Sequence, residues 1–456
     1  MIVIIIKNLS RLLNFTPTQV IPLGFASVIL IGAVLLTLPI ASRNGNSIGF
    51  INALFTATSA VCVTGLVVVD TYTHWTIFGQ VVILSLIQIG GLGFMTMATL
   101  FSLILGRRIG LKERLLIAES LNQYSLEGMV RLTRQILLGT LLFEGAGALI
   151  LSIKFASEYG LALGIYKGIF HSISAFCNAG FDLMGDKGKF SSLVSYVDDT
   201  VVNLTIMALI VIGGLGFSVW EDIYRVRSFR GLKLHTKLVL VVTAILLVFG
   251  FIIFFLLEFN NPKTLQPLSM KGKILAAMFQ SVTPRTAGFN TLSLPDLTNA
   301  SKFITIILMF IGGSPGSTAG GIKTATAGVL FFAVLSVLKG SEDTNMFKRR
   351  LNTEVVLRSL AIVVISLGIV IVTTTVLSIF EKATFIEQIF EAVSAFGTVG
   401  LSLGITPNLN TASKIALIIT MFLGRVGVLT MGLALTIKMQ KSNAKYKYPE
   451  GKVMVG

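Results

Sequence analysis

One short, glycine-terminated segment returns four times along this chain, each copy set between two long apolar stretches. The copies read FTATSAVCVTG at 55–65, FHSISAFCNAG at 170–180, MFQSVTPRTAG at 278–288 and FEAVSAFGTVG at 390–400. Their closing glycines, Gly65, Gly180, Gly288 and Gly400, are separated by 115, 108 and 112 residues. A period that long, held nearly constant, indicates one supersecondary unit copied four times. The unit reads as helix, half-helix with loop, helix.

The solvent for such a unit follows from composition. With 54% hydrophobic and 13% charged residues and a mean hydropathy of +0.85, the chain is unlike a water-soluble domain and suits a lipid bilayer. Apolar windows long enough to cross a hydrocarbon core lie at 18–41, 76–105, 134–157, 200–220, 235–258, 302–338, 358–380 and 412–437. The predicted fold is an all-α polytopic membrane protein of four helix/pore-helix/helix repeats, with eight transmembrane spans and four re-entrant pore loops in pseudo-four-fold arrangement around one pore. The repeats are assigned to 1–105 (loop 55–66), 106–220 (loop 170–181), 221–338 (loop 278–289) and 339–437 (loop 390–401), followed by a basic tail, 438–456.

The formal charge of +16 is distributed in a way that argues against nucleic acid. Lys and Arg gather between repeats, at Arg107, Arg108, Lys112 and Arg114, at Arg225, Arg227, Arg230, Lys233 and Lys237, at Lys348, Arg349 and Arg350, and in the tail at Lys438, Lys441, Lys445 and Lys447. Two spans per repeat bring all these linkers to one face, together with Lys7 and Arg11. By the positive-inside rule that face and both termini are cytoplasmic. The opening MIVIIIKNLS has an apolar run too short for a signal-peptide core, so no cleaved leader is expected.

Each recurring segment has the composition of a half-helix that stops inside the membrane. Non-helical backbone at that depth survives only where protein buries it or a water-filled path satisfies it. Glycine can take the positive φ that turns carbonyls toward a common centre. Such carbonyls can replace the hydration shell of a cation, helped by the carboxyl ends of four half-helices. A single glycine of this kind would be read as a packing notch between helices; four in register favour the pore. Cys62 and Cys177, the only cysteines, stand three residues before their glycines and read as small packing residues rather than a redox site.

A second motif recurs in each later span, as IGGLGF at 89–94, IGGLGF at 212–217, IGGSPG at 311–316 and LGRVGV at 423–428. In the first two copies it reads as close helix packing; the other two have changed. The third runs on as GGSPGSTAGGIKT, whose glycines and Pro315 cannot hold a regular helix. A polar loop there could obstruct a pore, or could be a static kink that shapes it. The same stretch matches G-x-S-x-G around Ser314, but His74, His171 and His235 all fall away from its depth, and Ile322 spoils a phosphate-loop reading before Lys323. The chain is therefore expected not to be an enzyme.

Arg425 replaces a motif glycine in the fourth copy. A guanidinium within a span costs at least ~2.5 kcal/mol, so its presence is a functional hypothesis. One reading aims it at the pore below the loops, donating to carbonyls of the polar loop; the other pairs it with Glu144, an acid deep in a first span. Lys323 could reach the cytoplasmic boundary. Arg285, three residues before Gly288, is expected to brace its loop from behind. Asp70 and Asp182 could concentrate cations at the outer mouth or be simple surface groups, and Glu391 is expected to hydrogen-bond backbone.

On these motifs the chain closely resembles the membrane subunits of bacterial Ktr-type potassium uptake systems (KtrB-like), within the Trk/Ktr/HKT superfamily, over essentially its whole length. The resemblance implies a potassium-binding selectivity filter at Val63, Thr64 and Gly65, at Asn178, Ala179 and Gly180, at Thr286, Ala287 and Gly288, and at Thr398, Val399 and Gly400. It implies an intramembrane gate formed by Gly312, Gly313, Ser314, Pro315, Gly316, Ser317, Thr318, Ala319, Gly320, Gly321 and Lys323, with Arg425 beside it. VCVTGL at 61–66 is close to the channel-like pattern, while CNAGF, RTAGF and GTVGL depart from it and leave the rejection of sodium open. Further implications are a potassium ion in the pore, sodium as a candidate activating ion and no organic cofactor. The implied assembly is a homodimer on a cytosolic ring of nucleotide-binding regulatory subunits, in the bacterial plasma membrane.

Overall fold

In chain order the helices of ten or more residues among the described residues are α1 (Pro17–Thr37), α2 (Phe50–Val61), α3 (Ile77–Leu92), α4 (Met129–Tyr159), α5 (Leu161–Phe176), α6 (Thr200–Leu215), α7 (Phe217–Val226), α8 (Leu234–Glu258), α9 (Met270–Val282), α10 (Asn299–Phe310), α11 (Thr324–Leu338), α12 (Thr353–Phe380), α13 (Phe385–Gly397) and α14 (Thr411–Val426). The computed structural model describes residues 17–93, 95–97, 99, 115, 129–341, 343–428 and 430–432. Lys7, Arg11, the basic run 107–114 and the tail 438–456 lie outside the described residues.

Backbone polar groups in hydrocarbon must be satisfied within the segment, which makes helix the answer to each long apolar stretch. Among the described residues four helices are long and apolar enough to cross a membrane, Gln19–Thr37, Val130–Tyr159, Leu234–Glu258 and Thr353–Phe380, or five if the bent pair α6–α7 is one span. Their outer faces carry unburied apolar side chains, such as Leu141, Leu142 and Ile153 on α4 and Ile245, Val248 and Ile252 on α8. Contiguous apolar surface of this extent fits lipid better than water.

Each long helix is followed by a short one, α2, α5, α9 or α13, that runs directly into a glycine loop. Polar caps fix where helices begin: Thr76, Asp199, Ser269, Thr298 and Asn410 each accept a first-turn N–H, and Thr384 with Glu387 forms a reciprocal capping box. The next helix then packs on the short helix of the following group, α3 on α5, α6 on α9, α10 on α13 and α14 on α2. The last contact returns to the start, so the packing closes into a ring.

Close approach within each group depends on the second motif. A Cβ on Gly90, Gly213 or Gly424 would collide with the carbonyl at the end of the preceding short helix, that of Val61, Phe176 or Phe396. The fourth copy therefore keeps its notch, a correction to the expectation that it had changed altogether. Breaks are also more general than the sequence suggested. Beyond the interruption foreseen in the third copy, α3, α6 and α14 end on Gly93, Gly216 and Gly427 at φ of 82°, 96° and 91°, and α6 and α7 bend by 93°. L-residues rarely adopt such φ values, so a single glycine suffices to stop each helix. A two-residue antiparallel pair, Asn345–Met346 with Arg349–Arg350, caps the linker after α11.

Candidate functional site

The four loop glycines meet. A Cβ on Gly65 would lie 2.5 Å from the Ala179 carbonyl oxygen, one on Gly180 2.8 Å from that of Ala287, and one on Gly288 2.7 Å from that of Val399. One on Gly400 would collide with the Thr64 carbonyl oxygen and lie 2.8 Å from the Gly65 Cα. Each glycine thus abuts the residue before the next glycine, and the sequence of contacts closes on itself. All four have positive φ, at 92°, 69°, 79° and 88°. Only a residue without a β-carbon fits either the backbone or the space.

Two residues before every glycine the backbone is left-handed again, at Val63 (φ 56°), Asn178 (58°), Thr286 (64°) and Thr398 (50°). Asparagine tolerates that region, but three β-branched residues do not, and such strain persists only where surrounding structure enforces it. Enforcement comes from the helix ends. The N–H groups of Thr64, Ala179, Ala287 and Val399 donate to the carbonyls of Ser59, Ser174, Thr283 and Ser394 at 2.7–3.0 Å. The Ser59 and Ser394 hydroxyls accept from Gly65 and Gly400 N–H at 3.1 Å, and the Ser174 and Thr283 hydroxyls donate to the carbonyls of Phe181 and Phe289. Thr283 precedes its glycine by five residues and the serines precede theirs by six, so the third loop is one residue shorter than its counterparts. Aligning it as MFQSVTPRTAG hid the deletion; Phe279, not Met278, matches Phe55, Phe170 and Phe390.

The polar stretch predicted to obstruct a pore crosses beneath this ring. Its ends are tied by Gly312 N–H to Ile322 C=O (2.8 Å) and Thr324 N–H to Gly313 C=O (2.9 Å). Gly320 packs against the Thr398 side chain and Gly312 against that of Thr286. The loop docks on four other helices, α5, α6, α7 and α14. Ser314 N–H donates to Gly214 C=O (3.0 Å), Phe217 N–H to Gly316 C=O (2.9 Å) and Gly321 N–H to Gly424 C=O (3.3 Å), while the Thr318 hydroxyl donates to Phe176 C=O (3.2 Å). Lys323 Nζ turns back to the Ala319 carbonyl at 2.7 Å. The Ser314 hydroxyl faces Thr324 Oγ1 at 3.0 Å, with no histidine among its partners.

Arg425 fastens the same loop. Its Nη1 donates to Thr318 C=O and its Nη2 to the carbonyls of Gly90 and Gly91 (3.1 Å for the latter). Glu144 instead accepts from Gln88 Nε2 at 3.0 Å and lies against Cys177 Sγ. The guanidinium is held by carbonyls of α3 and of the polar loop, and the alternative ion pair is not formed.

Arg285 is buried and reaches outward, its Nη2 to Thr243 Oγ1 on α8 at 3.2 Å. Asp70 is a structural group, accepting from the N–H groups of Thr73 (2.8 Å) and Phe190 (3.0 Å). Asp182, in the loop after Gly180, accepts from Met184 N–H at 2.9 Å; burial pushes its carboxyl up to about 7, against the pull of that N–H and with help from nearby Asp70. Glu391 bonds the Thr406 hydroxyl rather than backbone, and Cys62 and Cys177 are buried free thiols. Sequence reasoning missed Lys414, whose Nζ donates to Asn52 Oδ1 at 2.9 Å and joins the last helix to the first short one.

The four glycine loops bring uncharged backbone carbonyls side by side, with the polar loop packed against two of them, and carbonyl oxygens are a donor set suited to a monovalent cation. Known proteins point the same way. A family model described as TrkH, cation transport protein, matches residues 13–446. The Ktr system potassium uptake protein B of Bacillus subtilis (strain 168) is 46% identical over 443 residues, covering 97% of each chain. The potassium/sodium uptake protein NtpJ of Enterococcus hirae is 43% identical, covering 97% of this chain and 98% of that one. The crystal structure of the potassium transporter TrkH from Vibrio parahaemolyticus shares the fold, with a TM-score of 0.74 at 18% identity over 93% of this chain and 85% of the other.

Proposed function

The chain belongs to the TrkH family of cation transport proteins, and from that premise we propose that it is the potassium-conducting membrane subunit of a Ktr-type uptake system. It is a transporter and not an enzyme. In this reading the four repeats contribute eight spans and four re-entrant loops around one axis. The triplets ending at Gly65, Gly180, Gly288 and Gly400 form the filter, and Gly312–Lys323 with Arg425 forms the gate. The observation that carries the reading is the closed ring of four glycines in one repeated backbone conformation.

A potassium ion in the filter would take its ligands from the loop carbonyls, and sodium would act as an activating ion. The 43% identity to a potassium/sodium uptake protein favours a second reading, a pore that passes both ions. The subunit would work as a homodimer on a cytosolic ring of nucleotide-binding regulatory subunits, in a bacterial plasma membrane with both termini cytoplasmic. Vesicles holding the purified chain test this directly when potassium and sodium gradients are exchanged between runs. Flux that follows potassium supports the first reading, equal flux of both ions the second, and flux of neither ion overturns both. Any transport retained by Ser314→Ala would dispose of a hydrolytic role for that hydroxyl.

A further inference from the structure

On the linker side of the molecule, away from the glycine ring, a pocket of about 280 Å³ is lined by Arg230, Lys233, Lys237 and Arg349, with Leu234 and Phe347 among its apolar walls. It forms where the turn Phe229–Gly231, the first turn of α8 and the linker hairpin after α11 come together. None of the four cations is joined to a carboxylate among the described residues. Asp343 is paired with Arg350 (2.9 Å), and Asp222 accepts from the Lys233 backbone N–H (2.9 Å), so one carboxylate stands at the helix start against four cations. Lys237 Nζ makes two neutral contacts, to the Arg230 carbonyl at 2.7 Å and over the Phe229 ring, 6.0 Å from its centroid. Lys233 is the N-cap of the 25-residue α8 and gives it no side-chain cap, so first-turn N–H groups add to the positive field.

Four cations lining one pocket at the start of a long helix match the chemistry of a phosphate oxygen cluster. What lies beyond the pocket identifies the carrier of that phosphate. Ile245 and Phe249, both exposed, follow Lys237 along one face of α8 at helical spacing, within reach of one leaflet's acyl chains. The end of α11, Val334, Val337 and Leu338, is exposed as well. A soluble anion would have no use for this apolar stripe, and acyl chains would.

We propose that this pocket binds the phosphodiester headgroup of an anionic phospholipid whose acyl chains lie along the exposed faces of α8 and α11. The full chain, purified in detergent, is titrated with dioctanoyl phosphatidylglycerol, dioctanoyl phosphatidylcholine or inorganic phosphate, and affinity is read by thermophoresis. Phosphatidylglycerol should bind saturably and phosphatidylcholine should not. The double variant Lys233→Gln/Arg349→Gln, still eluting as a folded protein, should lose affinity on the order of tenfold or more, while Lys271→Gln, on a different part of the surface, should lose none. Undiminished affinity in the double variant would assign the four charges to an acidic protein partner and overturn the proposal. So would complete displacement of the lipid by inorganic phosphate, or equal binding of both lipids.

Discussion

Val63, Thr286 and Thr398 hold a conformation that costs β-branched residues roughly 1–3 kcal/mol each, and the helix-end hydrogen bonds below them keep them there. The adjoining glycines have no such tolerance to lose. Gly288→Ala adds a left-handed penalty of roughly 1–2 kcal/mol to a contact of 2.7 Å with the Val399 oxygen. Potassium uptake should fall at least about tenfold, the equivalent of 1.4 kcal/mol, in protein that still purifies as the wild type does. Arg425→Gln should act in the opposite direction, since it loosens the clamp on the Thr318 carbonyl; unchanged or lower rubidium flux would dismiss the clamp. Asp182, two residues beyond Gly180, has its carboxyl pushed up by burial to about 7, so it is neutral below that pH and charged above it. Uptake should therefore climb a few-fold as pH rises through 7, and Asp182→Asn should flatten the profile. The glycines were legible in the sequence because steric exclusion leaves one residue type. The bond of Arg425 to a carbonyl of the polar loop was one of its two readings in the sequence and is the one formed; its bonds to the Gly90 and Gly91 carbonyls were not legible, because backbone carbonyls leave no mark in sequence.

Helices that read as continuous spans prove to be stopped by one glycine each. Hydropathy averaged over a window barely registers Gly93, Gly216 or Gly427 inside IGGLGF or LGRVGV, whereas the run of glycines and hydroxyls after Ile311 was conspicuous. The deletion in the third loop escaped for a related reason. Spacing to the glycine was conserved by borrowing Met278, and only the position of the Thr283 hydroxyl reveals the shift. Gly216 is the most informative break, because it ends α6 and also receives the polar loop. A Cβ there would stand 2.7 Å from the Pro315 oxygen at a φ of 96°. Gly216→Ala should lift the loop from α6 and expose Ser317, so that a Ser317→Cys probe labels faster with a water-soluble maleimide than it does in the wild-type background. Equal labelling rates would mean that the loop is seated by other contacts.

Closure of the whole molecule rests on a junction that sequence proximity could not reveal, where Gly400 meets the Thr64 carbonyl and Lys414 reaches Asn52. Every glycine loop abuts the next, and the last abuts the first. That circularity separates one shared conduit from four parallel ones. If each glycine loop bordered its own path, Gly65→Ala would remove roughly a quarter of the flux, and Gly65→Ala/Gly288→Ala about half, as independent sites add. Around one axis the first substitution already spoils the ring for every ion that passes. The double variant should then transport no less than the worse of its two parents, a strong departure from additivity of the kind shown by residues acting as one unit. Rubidium uptake by the four single variants and the Gly65/Gly288 pair, each normalised to protein in the membrane, distinguishes the two; proportional losses would mean that the four loops do not share a path.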